Sequence, residues 1–399
     1  MRRRDLLLAV LGAGGALHSV GTRAQGAVGA ASPIRLPRDF GAHPDFGIEW
    51  WYLTGWLAVP GVADPYGFQF TFFRSRTAVR PDHPSRFAAR QIVFAHAALT
   101  DPVAGSLRHD QRIARQGFGI AQASEQDTDV QLRGWSLKRE GAVGRHRYLA
   151  RLDASAQGFG FDFLCTATQP VLLQGDAGVS RKGPDATQSS YYLSEPQLAV
   201  TGTLSLAGRP RAVTGRAWLD HEWSDTLLHP DAVGWDWIGM NLDDGGALTA
   251  FRLRRKDGSA LWAGGSLRSH DGRLQVFGHD ELSFTPLRNW ASPATQARYP
   301  VQWRVATPAG SFEVRARLDA QELDSRATTG DLVLFAKGGD TLSIANAGPR
   351  PLELMVLGGA TAEGPLVFHG PFVMNSLDQV RAAEIAYRTG RMGTIKESR

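Results

Sequence analysis

The segment AVTGRAWLDHEWSD, residues 212–225, restricts the fold of this 399-residue chain more than any other. In an extended strand, successive side chains point to opposite faces. One face of this strand carries Leu219, His221 and Trp223. The other face carries Trp218, Asp220 and Glu222. This is too much aromatic mass for a surface strand and too many charges for a simple core strand. The pattern indicates either a barrel seam with a satisfied polar network or a ligand cavity with acid–base groups.

The rest of the chain predicts an all-β protein. Strand-like segments, such as WWYLTGWLAV (50–59) and FGFDFLCTA (159–167), recur between clusters of Gly, Pro and Asp. No sustained helical periodicity occurs before residue 375. Short strands at this spacing favour antiparallel sandwiches or barrels. After residue 375, Ser376 and Gln379 form a capping box that predicts one terminal helix.

A weak internal repeat suggests two similar barrels in tandem. TGWL (54–57) and TGTL (201–204) each open a comparable set of strands. We therefore predict one barrel over residues 33–196 and a second over 197–328, followed by a distinct segment over 329–399.

The first 31 residues have the pattern of a cleavable export signal. Arg3 and Arg4 precede an apolar run that is too short to span a bilayer, so no permanent membrane span is expected. The twin arginines are typical of a signal for export of folded proteins, which predicts a periplasmic or secreted location.

The formal net charge of +5 owes much to this leader, since residues 1–24 hold four Arg and one Asp. No nucleic-acid partner is expected. With Cys165 as the only cysteine, no disulfide can form within the chain.

Residues 43–305 resemble the carotenoid 1,2-hydratase / AttH family of exported, lipocalin-like (calycin) proteins. The resemblance is carried by seven motifs in the expected order: HPDFGIEWWYLTGWL (43–57), GFQFTFFR (67–74), FAHAALTD (94–101), SYYLSEPQLAVTGTLSL (190–206), GRAWLDHEWSD (215–225), GWDWIGMNLDDG (234–245) and YPVQW (299–303). It implies two lipocalin-like barrels and a cavity for an extended apolar ligand, such as an isoprenoid or other lipid.

Residues 331–394 resemble instead the C-terminal end of a pirin, a bicupin protein, above all in GPFVMNS (370–376). Pirins hold their metal in an N-terminal cupin that is absent here, so the resemblance implies no metal. The strands expected to close the second barrel are not found after residue 325. Either the pirin-like, cupin-like segment supplies the closing edge, or the second barrel is incomplete.

The hydratase resemblance implies acid-catalysed addition of water to an isoprenoid double bond, without a cofactor. Such a site needs a proton donor, a wall that tolerates a carbocation, and a positioned water. Within the family motif, His221 and Trp223 are the expected functional pair, and Asp220 or Asp236 is the candidate proton donor. The expected ligand-binding residues are Trp50, Trp51, Trp218, Glu222, Trp235 and Trp237.

Two alternatives stay open at the level of sequence. Catalytic relatives also use a Tyr and an Asp on the next strand, which ALTAFRLRR (247–255) does not offer. The chain could therefore be a non-catalytic lipid-binding protein, or a secreted hydrolase of other specificity. A metal site is not expected, because no second His lies at ligand spacing from His221. His43 and Glu49 are expected to serve packing at the entrance of the first barrel.

Overall fold

The computed structural model describes residues 33–80, 82–85, 88–225, 228–323, 367–369, 372–374 and 376–389. The predicted export signal and most of the pirin-like segment lie outside these residues. The all-β prediction is confirmed: antiparallel sheets dominate, and one α-helix lies near the C-terminus. Among the described residues, no helix is long and apolar enough to cross a membrane.

The largest sheet contains thirteen antiparallel strands of the described chain. They are β1 (Ile48–Ala58), β2 (Tyr66–Arg76), β3 (Gln91–Asp101), β4 (Ser106–Arg115), β5 (Ala121–Ala123), β6 (Asp129–Leu132), β7 (Trp135–Ala142), β8 (Arg145–Ala154), β9 (Phe159–Thr166), β10 (Leu172–Leu173), β11 (Val179–Arg181), β12 (Ser189–Leu206) and β13 (Arg209–Ser224). Their order is β4-β3-β2-β1-β13-β12-β9-β8-β7-β6-β5, with β10 and β11 paired to β12. The sheet curls into a nearly closed barrel.

Alternation along these strands builds the barrel core. Every second side chain of β1, including Trp51 and Leu53, enters an apolar interior that Phe70 and Phe163 also fill. Full burial of one such side chain contributes about 1.5–3 kcal/mol. Between β1 and β13 the backbones approach closely: a Cβ atom on Gly215 would lie 2.0 Å from the carbonyl oxygen of Trp56. Glycine is therefore required at this seam.

Two smaller sheets follow within the predicted second barrel. One has the order β14-β15-β16-β17, formed by β14 (Gly234–Asn241), β15 (Ala247–Arg254), β16 (Ala260–Arg268) and β17 (Leu274–Phe277). The other is formed by β18 (Ser283–Ala291), β19 (Arg298–Thr307) and β20 (Gly310–Arg315). They share an apolar core that includes Leu248, Phe284 and Val305.

The predicted boundary between residues 196 and 197 falls inside β12. The pairing of β12 with β13 shifts there, between Glu195 and Leu198, and Gln197 has a φ of 60°. Strands β12 and β13 extend the same sheet as β1. The division into two barrels stays a prediction.

The C-terminal end belongs to a separate compact unit. Its described elements are β21 (Val367–His369), β22 (Phe372–Met374) and α1 (Leu377–Arg388). The backbone N–H of Gln379 donates to Ser376 Oγ at 3.2 Å, as the capping box predicts. Val380 and Ala383 form the buried side of α1.

Candidate functional site

Strand β13 sorts its side chains as the sequence predicts. His221 lies opposite Trp51 of β1 and faces the barrel interior, whereas Asp220 lies opposite Tyr52 and faces outward. The outward side is covered by the four-stranded sheet, whose Trp237 packs edge-on against Tyr52. The predicted catalytic residues His221 and Asp220 therefore belong to two different clusters on opposite faces of one strand.

The inner cluster is centred on the buried carboxylate of Glu49. His43 Nδ1 and His221 Nε2 each lie 2.8 Å from Glu49 Oε1. Arg74 Nε donates to Oε2 at 2.8 Å, and the backbone N–H of His43 donates to the same atom at 2.9 Å. Burial alone would raise the pKa of Glu49, but hydrogen bonds from His221 and His43 and the charge of Arg74 lower it well below its usual range.

The pKa values of the two imidazoles in the inner cluster are shifted in opposite directions. Burial lowers the pKa of both rings. For His43, hydrogen bonds to Asp39 and Glu49 outweigh burial, and the pKa is raised. For His221 burial prevails over Glu49, and the pKa is lowered. The carboxylates of Asp39 and Glu49 thus lie beside Arg74 and a His43 whose pKa is raised. The network is not fully satisfied, because the buried Nδ1 atom of His221 has no hydrogen-bond partner among the described residues.

Aromatic rings pack tightly around this network. Trp223 stacks on His43 with ring centroids 3.8 Å apart, and it also stacks on Tyr191 with centroids 5.3 Å apart. Trp51 stacks on His221 at 4.7 Å. Trp51 and Trp223 are 0% and 2% exposed. Both indoles are therefore enclosed by protein atoms of the core.

The inner cluster also brings together three potential metal ligands. One ligand atom each from His43, Glu49 and His221 lies within 4.8 Å of the others. Two imidazoles and a carboxylate are a donor set that Zn²⁺ accepts. Sequence spacing could not place His43 here, because it lies far from His221 along the chain. Since Glu49 Oε1 already bonds both rings, an ion would have to replace two hydrogen bonds.

The outer cluster is centred on Asp220. Its Oδ1 atom accepts hydrogen bonds from Ser194 Oγ at 2.6 Å and from Trp218 Nε1 at 2.7 Å. The residue is only 4% exposed. Burial raises the pKa of Asp220 to about 7, although the hydrogen bonds from Ser194 and Trp218 oppose this. Both the protonated and the ionised carboxyl group are therefore accessible near neutral pH.

Aromatic side chains surround the Asp220 carboxyl. Trp237 Nε1 donates to the hydroxyl of Tyr192 at 3.1 Å, and the ring of Trp237 lies edge-on to Trp218 at 6.3 Å. Asp220 and its neighbour Glu222 further raise the pKa of the buried Tyr192, which desolvation already places well above its usual value. The outer cluster thus combines a carboxyl that can be neutral with indole and phenol groups.

The remaining predicted site residues lie at the margins of these clusters. Asp236 forms ion pairs with Arg252 at 2.9 Å and with Arg254 at 3.1 Å. Trp235 is 45% exposed. Trp50 is half-buried and lies opposite Glu222, whose carboxylate is 3.0 Å from Lys182 Nζ.

Sequence reasoning missed several buried polar residues. Tyr192 and Ser194 lie two residues apart in YYLSEP, where the sequence predicts only a domain boundary. A third cluster lies in the first barrel, where His146 and Tyr148 both hydrogen-bond the carboxylate of Glu195. The spacing of His146 and Tyr148 in HRYLA indicates that both side chains point to one face of a strand. Their common partner, Glu195, is distant in sequence and could not be identified in this way.

Comparison with protein families supports both resemblances seen in the sequence. The model for AttH-like proteins matches residues 27–331, and the model for the pirin C-terminal cupin domain matches residues 294–393. A pirin-like protein from Solanum lycopersicum is 34% identical over 70 residues, which are 18% of this chain and 24% of that protein. A pirin-like protein from Arabidopsis thaliana is 39% identical over 64 residues, 16% of this chain and 23% of its own. The chain thus spans about a quarter of the length of these curated relatives.

Two solved structures share the fold. A protein from Nitrosomonas europaea assigned as AttH is 48% identical, with a TM-score of 0.70, and the match covers 76% of this chain and 91% of that chain. Kievitone hydratase from Nectria haematococca is 16% identical, with a TM-score of 0.56, and the match covers 75% and 85% of the two chains.

Proposed function

Because this chain belongs to the AttH-like family, we propose that it is a hydratase that adds water to a double bond of an isoprenoid, carotenoid-like lipid. Kievitone hydratase, a hydratase by name, shares the fold. The observation that carries the proposal is the Asp220 carboxyl, buried between Trp218 and Tyr192 with a pKa raised by desolvation to about 7.

The proposed reaction needs only groups of the protein and water. Asp220 transfers its proton to one alkene carbon, and the π electrons form the new C–H bond. The other carbon becomes a tertiary carbocation, which indole faces stabilise by about 0.5–2 kcal/mol each. Water attacks this cation, and the proton that the resulting oxonium loses returns to the Asp220 carboxylate. The cycle ends with the acid restored.

The raised pKa of Asp220 suits this task. A general acid works best when its pKa lies near the working pH, because it is then both protonated and able to release the proton. Asp236 is less suited, since two guanidinium groups contact its carboxylate. In this proposal Trp218 and Trp237 line the reacting end of the lipid.

The inner residues take a different role in this proposal. His221 and Trp223, the pair implied by the family resemblance, face away from Asp220. His221 is held by Glu49, and Trp223 is stacked on His43. We assign them to the alignment of β13 and not to contact with the substrate.

Incubation with acyclic carotenoids in ¹⁸O-labelled water, followed by mass analysis, tests the proposal. We expect one labelled oxygen per hydrated double bond, and a loss of rate of about 10²-fold or more in Asp220→Asn. Asp236→Asn is the matched control and should retain the reaction. Equal rates in wild type and Asp220→Asn would refute the role of Asp220.

A carrier function is the second candidate. Strand β15 offers no carboxylate or phenol next to the outer cluster, unlike the strand expected in catalytic relatives. Co-purification of lipid with no incorporation of label from any polyene would favour a carrier over an enzyme.

Export is part of the same proposal and rests on Arg3 and Arg4 of the leader. Recovery of the mature protein from the periplasmic fraction supports it. Its retention in the cytoplasm with the leader uncut contradicts it.

A further inference from the structure

Three buried side chains from separate parts of the chain meet in the inner cluster. His43 precedes β1, Glu49 lies on β1 and His221 lies on β13. Their exposed fractions are 8%, 0% and 1%. One ligand atom from each residue lies within 4.8 Å of the others. Around a tetrahedral Zn²⁺ with ligand bonds of about 2.0–2.2 Å, ligand atoms lie about 3.3–3.5 Å apart. Small adjustments of the three side chains, of about 0.5–1.5 Å, therefore bring these atoms to zinc distances.

The carboxylate of Glu49 is held with one oxygen directed at the two imidazoles. Its Oε2 atom accepts hydrogen bonds from Arg74 Nε at 2.8 Å and from the backbone N–H of His43 at 2.9 Å. Arg74 Nη2 also donates to the backbone carbonyl of His43 at 2.8 Å, which fixes the segment before β1. Glu49 can therefore ligate an ion through Oε1 while Oε2 keeps both of its partners.

The second nitrogen of His43 has a partner of the kind that supports metal ligands. His43 Nε2 lies 3.3 Å from Asp39 Oδ1. When Nε2 carries the ring proton and donates it to this carboxylate, Nδ1 presents its lone pair toward Glu49. A carboxylate that bonds the far nitrogen of a ligating histidine in this way fixes the tautomer and raises the basicity of the ligand. Asp39 also adds a negative charge beside the three ligands.

The second nitrogen of His221 has no hydrogen bond that opposes ligation. Its buried Nδ1 atom lacks a partner among the described residues. The ring proton can therefore lie on Nδ1, which leaves the lone pair of Nε2 facing Glu49. Trp51 stacks on His221 at 4.7 Å and Trp223 stacks on His43 at 3.8 Å. These indoles hold both imidazoles in the orientation that ligation needs.

We propose that His43, Glu49 and His221 form a binding site for one Zn²⁺ ion that ties the segment before β1 to β1 and β13. The ligand atoms are His43 Nδ1, Glu49 Oε1 and His221 Nε2, and the ion replaces the two hydrogen bonds that Oε1 makes with the rings. Water completes the coordination, as is usual where a protein supplies three ligands. This site is independent of the proposed hydration, since Asp220 faces the other side of β13.

Metal titration of the full chain tests the inference. Protein stripped with a chelator is titrated with Co²⁺, whose visible absorbance reports tetrahedral coordination, and Zn²⁺ is then added in competition. Bound metal is counted by mass spectrometry after gel filtration. We expect one Co²⁺ per chain, displaced by one Zn²⁺, and a melting temperature that rises with Zn²⁺ because the ion binds the folded state.

Two variants and a matched control locate the ion. His221→Gln removes a ligand and should weaken Zn²⁺ binding by about 100-fold or more, since loss of even an outer partner costs about 10–100-fold. Asp39→Asn removes only such an outer partner and should weaken binding by about 10-fold. His279→Gln is the control: His279 Nε2 lies 3.0 Å from Asp280 on the surface, and its loss should leave the affinity unchanged.

Less than one bound Zn²⁺ per chain in wild type, or equal affinities in wild type and His221→Gln, overturns the inference. Loss of binding in His279→Gln means an adventitious surface ion and overturns it as well. If His221→Gln fails to fold, an unchanged affinity in Asp39→Asn counts against the site in the same way. Because no substrate is present, these results do not depend on whether the chain hydrates a double bond.

Discussion

The pKa values of two buried carboxyl groups, Glu49 and Asp220, are shifted in opposite directions. The residue type alone therefore does not determine whether a buried carboxyl group is charged. Glu49 receives hydrogen bonds from His43, His221 and Arg74, and its pKa is lowered despite burial. Asp220 receives only neutral donors, and its pKa is raised to about 7. The sequence predicts which face of β13 holds Asp220 because alternation is local. It could not predict either protonation state, because Arg74 and His221 reach Glu49, and Ser194 reaches Asp220, from other strands.

Glu49→Gln should be strongly destabilising. Removing the carboxylate leaves the guanidinium of Arg74, which is 1% exposed, without its buried counter-charge. Breaking a buried ion pair in this way costs about 3–5 kcal/mol. Urea-induced unfolding measures the change in free energy.

Asp162→Asn provides the control, since its ion pair with Arg151 is largely exposed, with side-chain exposures of 59% and 60%. Such a surface pair contributes about 0–1 kcal/mol. Similar small losses in both variants would mean that the inner cluster does not hold β1, β2 and β13 together.

Strand β13 contributes to both the barrel and the packing of the four-stranded sheet. It pairs with β1 on one side and β12 on the other, so its inner face serves the barrel and its outer face serves the four-stranded sheet. Alternation in AVTGRAWLDHEW predicts both faces correctly. The pairing partner of β13 could not be read from the sequence, because β1 lies more than 150 residues away and the echo of TGWL in TGTL suggested a separate barrel.

Gly215→Ala should weaken this seam. The added Cβ would meet backbone atoms of Trp56 and Leu57, which cannot move aside as a flexible side chain could. Overpacking of this kind costs about 1–3 kcal/mol. Thermal unfolding should show a clear loss of stability relative to Thr214→Ala, an exposed neighbour on the same strand. Equal melting temperatures would show that β1 and β13 can separate without cost.

For the whole molecule, composition and turn spacing were sufficient to predict an all-β fold with one C-terminal helix, and the motifs were sufficient to identify the AttH-like and pirin-like parts. The alternation of β13 predicts that His221 and Asp220 lie on opposite faces, and the structure agrees. The hydratase resemblance nevertheless implies one site that contains both residues. Their partners, Glu49 for His221 and Ser194 for Asp220, could not be predicted from the sequence because they lie on other strands.

A comparison of two adjacent residues of β13 tests the proton-donor role of Asp220. Hydration of an acyclic carotenoid in ¹⁸O-labelled water is measured for Asp220→Asn and for His221→Gln, each at equal concentration of folded protein. Gln at position 221 keeps a donor for Glu49, so the inner cluster can persist. We expect Asp220→Asn to lose incorporation of the label and His221→Gln to retain it. Retained incorporation in Asp220→Asn together with loss in His221→Gln would contradict this role and place the chemistry inside the barrel.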